Sequence, residues 1–298
     1  MPANAPACRR LSITARILYR RNMTDMTLAF IGGGNMAGSL VGGLIADGWD
    51  PAKITVADPD DRQLERLATR HGITTTTDND TAAATADIIV LAVKPQMVES
   101  VARALAPAVA RQRALVLSIA AGIQEADLCD WIGADTAIVR SMPNTPALVQ
   151  SGATALYANS AVSEQQRDAA ESILRAVGLT IWIEDEALMD AVTALSGSGP
   201  AYFFLFMEAL QEAGCELGLP EETARLLTLQ TAFGAAKMAL ESPEDAAALR
   251  RHVTSPGGTT ERAITTFQDN GLAALVSKAL KAAAERSREL AQEFGHRS

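Results

Sequence analysis

The sequence predicts an α/β domain with a mostly parallel sheet, followed by an all-helical domain. Two observations support this fold class. In the first half, short apolar runs rich in β-branched residues alternate with alanine- and leucine-rich stretches of helical spacing, as in βαβ units. After residue 184 no such run occurs, and apolar residues recur every three or four positions. The predicted domains are therefore residues 26–184 and 185–298.

Each predicted strand is a short apolar run between turn residues. Five runs predict the central strands, at residues 28–31, 54–57, 88–93, 115–119 and 137–142. Two later runs extend the sheet, at residues 153–157 and 179–183. In the helical half, breaks that contain glycine or proline separate the helices, at residues 197–200, 219–220 and 255–258.

Composition and charge exclude several classes of function. The 298 residues carry a formal net charge of −9, whereas a surface that follows nucleic-acid phosphates normally needs an excess of Lys and Arg. No run of 18 apolar residues is present, so we expect no membrane-spanning helix. We expect any anionic substrate to be held locally, by N–H dipoles or a few cations.

The cysteines and histidines predict no metal site. Cys8, Cys129 and Cys215 are far apart and follow no ligand spacing, which predicts neither a disulfide framework nor a zinc site. The chain has only three histidines, which is too few to favour a three-histidine metal site or a histidine-based catalytic triad. We therefore expect a reducing compartment, the cytoplasm, and no metal cofactor.

Residues 1–25 are expected to form a disordered N-terminal extension. Five arginines precede the first acidic residue, which is typical of a transit peptide. No apolar signal core follows, and the globular pattern begins at Met26. We favour an extended start over a targeting segment.

A glycine-rich turn follows the first predicted strand. Gly32 permits a tight turn, Gly34 lets a pyrophosphate approach the backbone, and Ala37 lets the next helix pack closely on the strand. Asn35 and Met36 lie between them at the helix start. Because a strand precedes the turn and a helix follows it, we interpret it as a dinucleotide-binding Rossmann turn rather than a purely structural one.

Asp58 directly follows the second predicted strand, about 20 residues beyond the glycine turn, where a carboxylate binds the adenosine ribose. It would repel a 2′-phosphate and so favours NADH. Alternatively, residues 58–61 only place favourable charge at the start of a helix. Arg62 lies one helical turn beyond Asp58 and offsets this repulsion, so NADPH stays an alternative to NADH as the cofactor.

The ends of the next two strands supply further candidate cofactor contacts, because ligands bind at the carboxyl edge of a parallel sheet. The candidates are Ala92, Val93, Lys94 and Pro95 after the third strand, and Ala120, Ala121 and Gly122 after the fourth. Taken alone, Lys94 is more often a solvated lysine at a strand end.

Residues 253–263 contain two adjacent glycines and two threonines just before a spacing that predicts a helix. Bare N–H groups at such a helix start would hold a small carboxylate. The alternative is a loop that merely caps the helix. The glycine turn near the other end of the chain favours the functional interpretation.

From Met26 to about residue 292 the chain resembles the pyrroline-5-carboxylate reductase family. Five blocks carry the resemblance: residues 30–37, 92–96, 140–146, 195–202 and 253–263. The resemblance implies NADH- or NADPH-dependent reduction of 1-pyrroline-5-carboxylate to L-proline, the last step of proline biosynthesis. It also implies a Rossmann domain and a helical domain that builds an interlocked homodimer, commonly assembled into a larger ring such as a decamer. The substrate loop would then face the nicotinamide, in some members from the partner subunit.

The resemblance also implies roles for residues on the substrate side. Thr260 resembles the family's threonine whose hydroxyl hydrogen-bonds the ring nitrogen, and it is the catalytic candidate. Gly258 and Thr259 resemble donors to the substrate carboxylate. Glu186 resembles an acidic residue near the proline site.

On the cofactor side, Asn79 and the segment of residues 93–95 resemble family contacts, and His252 stands where relatives often have Asn. A β-hydroxyacid dehydrogenase is a rival interpretation, but such enzymes usually need a lysine near the start of the helical domain, and residues 184–230 contain none. A non-catalytic NAD(P)-sensing protein is a second rival, against which the intact Thr260 and its glycines argue.

Overall fold

In the computed structural model, which describes residues 25–295, eight strands form one sheet. The strands are β1 (Leu28–Ile31), β2 (Ile54–Ala57), β3 (Thr74–Thr76), β4 (Ile88–Leu91), β5 (Leu115–Ser118), β6 (Ile138–Met142), β7 (Gly152–Ala158) and β8 (Gly178–Trp182). Their order is β3-β2-β1-β4-β5-β6-β7-β8. All neighbouring pairs are parallel except β6 and β7, which are antiparallel.

Helices cover both faces of this sheet. They are α1 (Asn35–Ala46), α2 (Asp61–His71), α3 (Asn79–Ala83), α4 (Pro95–Gln112), α5 (Glu125–Ile132) and α6 (Glu164–Arg175), and a single-turn helix α7 (Met189–Val192) follows the last strand. Because side chains alternate along a strand, Leu28 and Phe30 of β1 pack on the side of α1 and α6, while Ala29 and Ile31 pack on the side of α4 and α5. The apolar runs of β1, β4 and β5 are thus buried on both faces, as the sequence predicts for a parallel sheet, whereas Leu179 and Ile181 of β8 are exposed.

The observed strands confirm the predicted fold class and differ from it in detail. Strand β3 was not predicted, because three consecutive threonines form no apolar run. The third predicted strand ends at Leu91 rather than at residue 93, because Lys94 is the N-cap of α4 and Pro95 its first residue. Short 3₁₀ turns at Pro51–Lys53, Thr145–Val149 and Glu186–Leu188 lie between the regular elements.

Residues 193–286 form a second compact unit, and residues 287–295 group with the first. The elements of this second unit are a π-helical turn (Thr193–Gly197), α8 (Gly199–Glu216), α9 (Glu221–Glu241), α10 (Ala246–His252), α11 (Thr259–Asp269) and the start of α12 (Leu272–Gly295). Helices α8 and α9 approach closely, since a Cβ on Gly214 would lie 3.3 Å from Ala224. The predicted boundary at residue 184 falls after β8, whereas the compact units divide after Val192.

The hydroxyl of Ser287 donates to Asp190 Oδ1 at 2.6 Å, which ties the end of α12 to α7. The predicted extension, residues 1–25, lies outside the described residues apart from Asp25. Among residues 25–295, none of the helices combines the length and the apolar character that crossing a bilayer requires.

Candidate active site

The turn after β1 needs glycine at its first position. Gly32 has φ +101°, and its N–H donates to the carbonyl of Ala57 at 2.8 Å. A Cβ at this position would lie 2.7 Å from the carbonyl oxygen of Ala92, a fixed backbone atom at the end of β4. Glycine is therefore required here both by conformation and by space.

Helix α1 begins directly behind this turn and presents open backbone donors. Gly34 is the N-cap and has no side chain to cap the helix, so the N–H groups of Asn35, Met36 and Ala37 lack an intrahelical acceptor. A Cβ on Gly34 would meet nothing within 4 Å, so this side of the turn has space. Open N–H groups and the positive end of the helix dipole form a favourable site for a pyrophosphate.

Asp58 contacts the glycine turn as well as its own loop. Its Oδ2 accepts from the N–H of Gly33 at 2.7 Å, and its Oδ1 accepts from the N–H of Asp60 at 2.9 Å. Asp58 therefore couples the end of β2 to the turn after β1. Each carboxylate oxygen has a second lone pair, so a ribose hydroxyl remains a possible additional donor.

The strand order reverses between β1 and β4, which creates the crevice where open α/β sheets bind ligands. The N–H of Ala92 donates to the carbonyl of Ile31 at 2.8 Å, so the predicted segment of residues 92–95 lies beside the glycine turn. Lys94 is the N-cap of α4 without a side-chain hydrogen bond.

Two further predicted contacts follow other strands at this carboxyl edge. Ala120 and Ala121 lie just after β5, before Gly122 with φ +75°, and Asn79 begins α3 just after β3. The structure thus brings the cofactor candidates of the first unit to one edge of the sheet.

In the second unit, the loop before α11 has a defined hydrogen-bond pattern. Gly257 has φ +72°, and its N–H donates to Glu261 Oε2 at 2.7 Å. The N–H of Gly258 donates to the carbonyl of Ser255 at 3.0 Å, and a Cβ on Gly258 would lie 2.9 Å from that same oxygen. Glycine is needed at 258 because the chain folds back on itself there.

Thr259 and Thr260 are the first two residues of α11, and both are exposed. Gly258 is the N-cap and provides no side-chain acceptor, so the first N–H groups of α11 have no intrahelical partner. The loop therefore has the properties of an anion site, with the Thr260 hydroxyl next to it.

His252, the remaining cofactor candidate, is the last residue of α10. Its Nδ1 lies 3.3 Å from Glu244 Oε2, and both side chains are largely exposed. Its predicted cofactor contact stays a prediction.

Glu186 lies in a polar cluster of the first unit. Its Oε1 accepts from the Arg140 guanidinium and from the N–H of Glu125, the latter at 2.6 Å. Arg140 is almost fully buried on β6, and it was not predicted as a functional residue. An arginine within a strand that begins with Ile138 and Val139 was the signal that could have identified it, because buried charges are normally paired.

The same cluster contains Glu125, whose Oε1 accepts from Asn159 Nδ2 at 3.1 Å and from the Cys129 thiol at 3.1 Å. Burial, followed by the hydrogen bond and charge of Glu125, raises the pKa of the Cys129 thiol to about 12. Cys129 is therefore a neutral thiol at physiological pH and a poor nucleophile. Within residues 25–295, no group of three His, Cys, Asp or Glu side chains is arranged to hold a metal ion.

Comparisons with known proteins show which family the chain resembles. Residues 186–290 match the family model for pyrroline-5-carboxylate reductase dimerisation, and residues 27–122 match that for coenzyme F420-dependent NADP oxidoreductase. The pyrroline-5-carboxylate reductase of Pseudomonas aeruginosa is 54% identical over 92% of this chain and 100% of its own length. That of Pasteurella multocida is 43% identical over 91% of this chain and 100% of its own length.

Solved structures give the same result. A pyrroline-5-carboxylate reductase from Coxiella burnetii has a TM-score of 0.86 and 49% identity, covering 89% of this chain and 98% of that one. The Plasmodium falciparum pyrroline carboxylate reductase with NADP bound has a TM-score of 0.80 and 31% identity, covering 90% of this chain and 99% of its own. With full-length relatives well above 30% identity, the chain belongs to the pyrroline-5-carboxylate reductase family.

Proposed function

We propose that this chain reduces 1-pyrroline-5-carboxylate to L-proline with NADH or NADPH, the last step of proline biosynthesis. When bound, the cofactor supplies the hydride that the imine carbon accepts, while the ring nitrogen gains a proton. The observation that carries the proposal is the uncapped start of α11 behind Gly258, with a threonine hydroxyl at its second position. A small carboxylate with a nearby ring nitrogen is the ligand that such a site suits.

We propose that the N–H groups of Thr259 and Thr260 bind the substrate carboxylate. The N–H of Gly258, also named as a donor from the sequence, is engaged with Ser255 in this loop conformation. Gly258 then contributes because it has no side chain that could cap the helix or block access to the N–H groups of Thr259 and Thr260. Glu261 holds the N–H of Gly257 and so fixes the turn that precedes these donors.

The Thr260 hydroxyl is proposed to hydrogen-bond the ring nitrogen and to orient the ring for hydride addition. Orientation of two reacting groups contributes roughly 7–11 kcal/mol in favourable intramolecular models. A threonine hydroxyl is too weak an acid to protonate an imine alone, so we assign the proton to solvent, directly or through a water relay. Glu186 is proposed as an acidic residue near the bound substrate. Its Oε1 accepts both of its observed hydrogen bonds, from the N–H of Glu125 and from the Arg140 guanidinium.

On the cofactor side, we propose that the N–H groups at the start of α1 hold the pyrophosphate and that Asp58 binds the adenosine ribose. The remaining proposed contacts are Gly32, Gly34, Asn79, Ala92, Val93, Lys94, Pro95, Ala120, Ala121, Gly122 and His252. The Asp58 carboxylate disfavours a 2′-phosphate, so we propose a preference for NADH over NADPH. Arg62, exposed on the first turn of α2, moderates this preference.

Asp58→Asn is expected to raise the ratio of kcat/KM with NADPH to kcat/KM with NADH by about tenfold, because it removes one negative charge near the ribose. Asn keeps one oxygen that can accept from the N–H of Gly33, while its amide nitrogen replaces the oxygen that accepts from the N–H of Asp60, so the substitution keeps the bond to the glycine turn and loses the one within the loop. Asp61→Asn, an exposed charge change on the same helix start, is the matched control and should leave the ratio unchanged. An unchanged ratio in Asp58→Asn would remove Asp58 from cofactor selection.

One assay tests the proposed reaction. Purified protein is mixed with 1-pyrroline-5-carboxylate and NADH or NADPH, and loss of the reduced-cofactor absorbance is followed together with proline formation. Turnover supports the proposal. Cofactor binding without turnover would instead support an NAD(P)-sensing protein, and turnover only with a β-hydroxyacid and oxidised cofactor would support the dehydrogenase alternative.

We propose that the second unit forms a homodimer, assembled further into a ring such as a decamer. Large apolar side chains of α8 and α9 are exposed in the single chain: Phe203 68%, Phe204 64%, Leu205 67% and Phe233 63%. Large apolar side chains exposed together on neighbouring helices normally mark an interface. Sedimentation velocity should give at least twice the chain mass, and a monomer would contradict the proposal.

The free thiols of Cys129 and Cys215 suit the proposed cytoplasmic location.

A further inference from the structure

Helix α2 reaches back to the glycine turn through one side chain. Gln63, half-buried on the first turn of α2, donates its Nε2 to the carbonyl of Gly33. Arg66, one turn later, donates to Gln63 Oε1. With Asp58 accepting from the Gly33 N–H, both polar backbone atoms of this residue are held by side chains from outside the turn.

The arrangement defines which way the Gln63 amide faces. An arginine can only donate, so the amide oxygen must face Arg66 and the amide nitrogen must face the Gly33 carbonyl. Arg66 is itself oriented by a bond from its Nε to the Arg62 carbonyl at 3.3 Å. The amide is therefore fixed as a donor to the turn.

The hydrogen bond from Gln63 to the Gly33 carbonyl also fixes the direction of the Gly34 N–H. A trans peptide is planar, and its C=O and N–H point in opposite directions. The carbonyl of Gly33 points to Gln63, so the N–H of Gly34 in the same peptide points away from α2. Because glycines flank this peptide, little steric hindrance prevents it from turning over. A turned peptide would place an oxygen where the N–H stands and would repel a pyrophosphate.

We propose that Gln63 is a positioning residue for the pyrophosphate of the nicotinamide cofactor, and that Arg66 orients Gln63. The inference rests on the proposed use of NADH or NADPH, but not on the identity of the imine substrate. Gln63 lies outside the glycine motif, 30 residues beyond Gly33.

Two variants test the proposal. Gln63→Ala removes the donor and is expected to weaken NADH and ADP-ribose binding by isothermal titration calorimetry about tenfold. Gln63→Glu places a carboxylate against the Gly33 carbonyl and is expected to weaken both more than Gln63→Ala does. At saturating NADH, kcat and the KM for 1-pyrroline-5-carboxylate should stay within about twofold of the unaltered protein, because the positioning acts on cofactor binding.

The matched control is Gln112→Ala. Gln112 on α4 also donates its Nε2 to a backbone carbonyl, that of Ala84, away from the glycine turn. Both alanine variants should lose a similar amount of thermal stability, and only Gln63→Ala should lose cofactor affinity. Equal dissociation constants in the two alanine variants, or tighter binding in Gln63→Glu than in Gln63→Ala, would overturn the proposal.

The two proposals fail in different ways. If the unaltered protein binds NADH but does not reduce 1-pyrroline-5-carboxylate, the proposed reaction is wrong and the binding comparison still decides the role of Gln63. If the unaltered protein binds neither NADH nor NADPH, the role of Gln63 is overturned together with the cofactor assignment.

Discussion

Replacing Thr260 by alanine is expected to lower kcat for 1-pyrroline-5-carboxylate by about a hundredfold, the typical effect of removing one well-placed hydrogen-bond donor from a reacting centre. The backbone N–H at position 260 survives the substitution, so binding of the carboxylate should change little. Alanine is also a better helix former than threonine, and Thr260 is exposed at the start of α11, so the fold should not suffer. The dissociation constant of NADH should be unchanged.

Two neighbouring substitutions separate the hydroxyl from the rest of the residue. Thr260→Ser keeps the hydroxyl and should retain most of the activity. Thr259→Ala removes the hydroxyl from the preceding position, which is also exposed, and should leave kcat nearly unaltered. Steady-state kinetics with each variant provide the measurement, and a kcat for Thr260→Ala equal to that of the unaltered protein would show that the hydroxyl has no catalytic role.

Gly32→Ala is expected to destabilise the fold by about 3 kcal/mol and to abolish measurable NADH binding. The left-handed conformation costs a residue with a Cβ about 1–2 kcal/mol, and overpacking against fixed atoms costs a further 1–3 kcal/mol. At Gly32 both costs apply, because φ is +101° and the new Cβ would lie 2.7 Å from the Ala92 carbonyl oxygen. Relief of the clash must move the turn or the end of β4, both of which are proposed to contact the cofactor.

Gly48→Ala is the control for conformation alone. Gly48 has φ +94°, but a Cβ there would meet nothing within 4 Å. We expect a loss of about 1 kcal/mol in the free energy of unfolding and no change in NADH affinity. Urea denaturation and calorimetric titration measure the two effects. Equal destabilisation in both variants would mean that close packing against β4 is not the reason for glycine at position 32.

The central strands β1, β4 and β5 could be predicted because their apolar runs are buried on both faces, whereas β7 and β8 were predicted from apolar runs that are only partly buried. Strands β1 and β2 have the predicted bounds, because every position is apolar or β-branched and a turn residue follows directly. Strand β3 was not predicted because its threonines are at most partly buried. It pairs with β2 through backbone hydrogen bonds, which leave no apolar pattern in the sequence. The antiparallel direction of β7 depends on the path of the chain after β6, which local spacing does not encode.

The candidate site shows the same division. The glycine turn and the loop before α11 could be recognised locally, because glycine is needed where the backbone adopts unusual angles or approaches another atom closely. The Arg140 and Glu186 pair joins residues 46 positions apart, and the family resemblance named only Glu186. Glu186 lies in the 3₁₀ turn after β8 and Arg140 lies on β6, so only the folded chain brings the two side chains together.

By itself, the sequence determined the fold class, the two glycine-containing segments and, through resemblance, the reaction and its candidate threonine. These features depend on periodicity and on residues within a few positions of one another. Only the tertiary structure decided which donors and acceptors are engaged: Asp58 with Gly33, Gln63 with the same residue, and Arg140 with Glu186. The physical reason is that hydrogen bonds depend on distance and direction, and packing sets both for groups far apart in the chain.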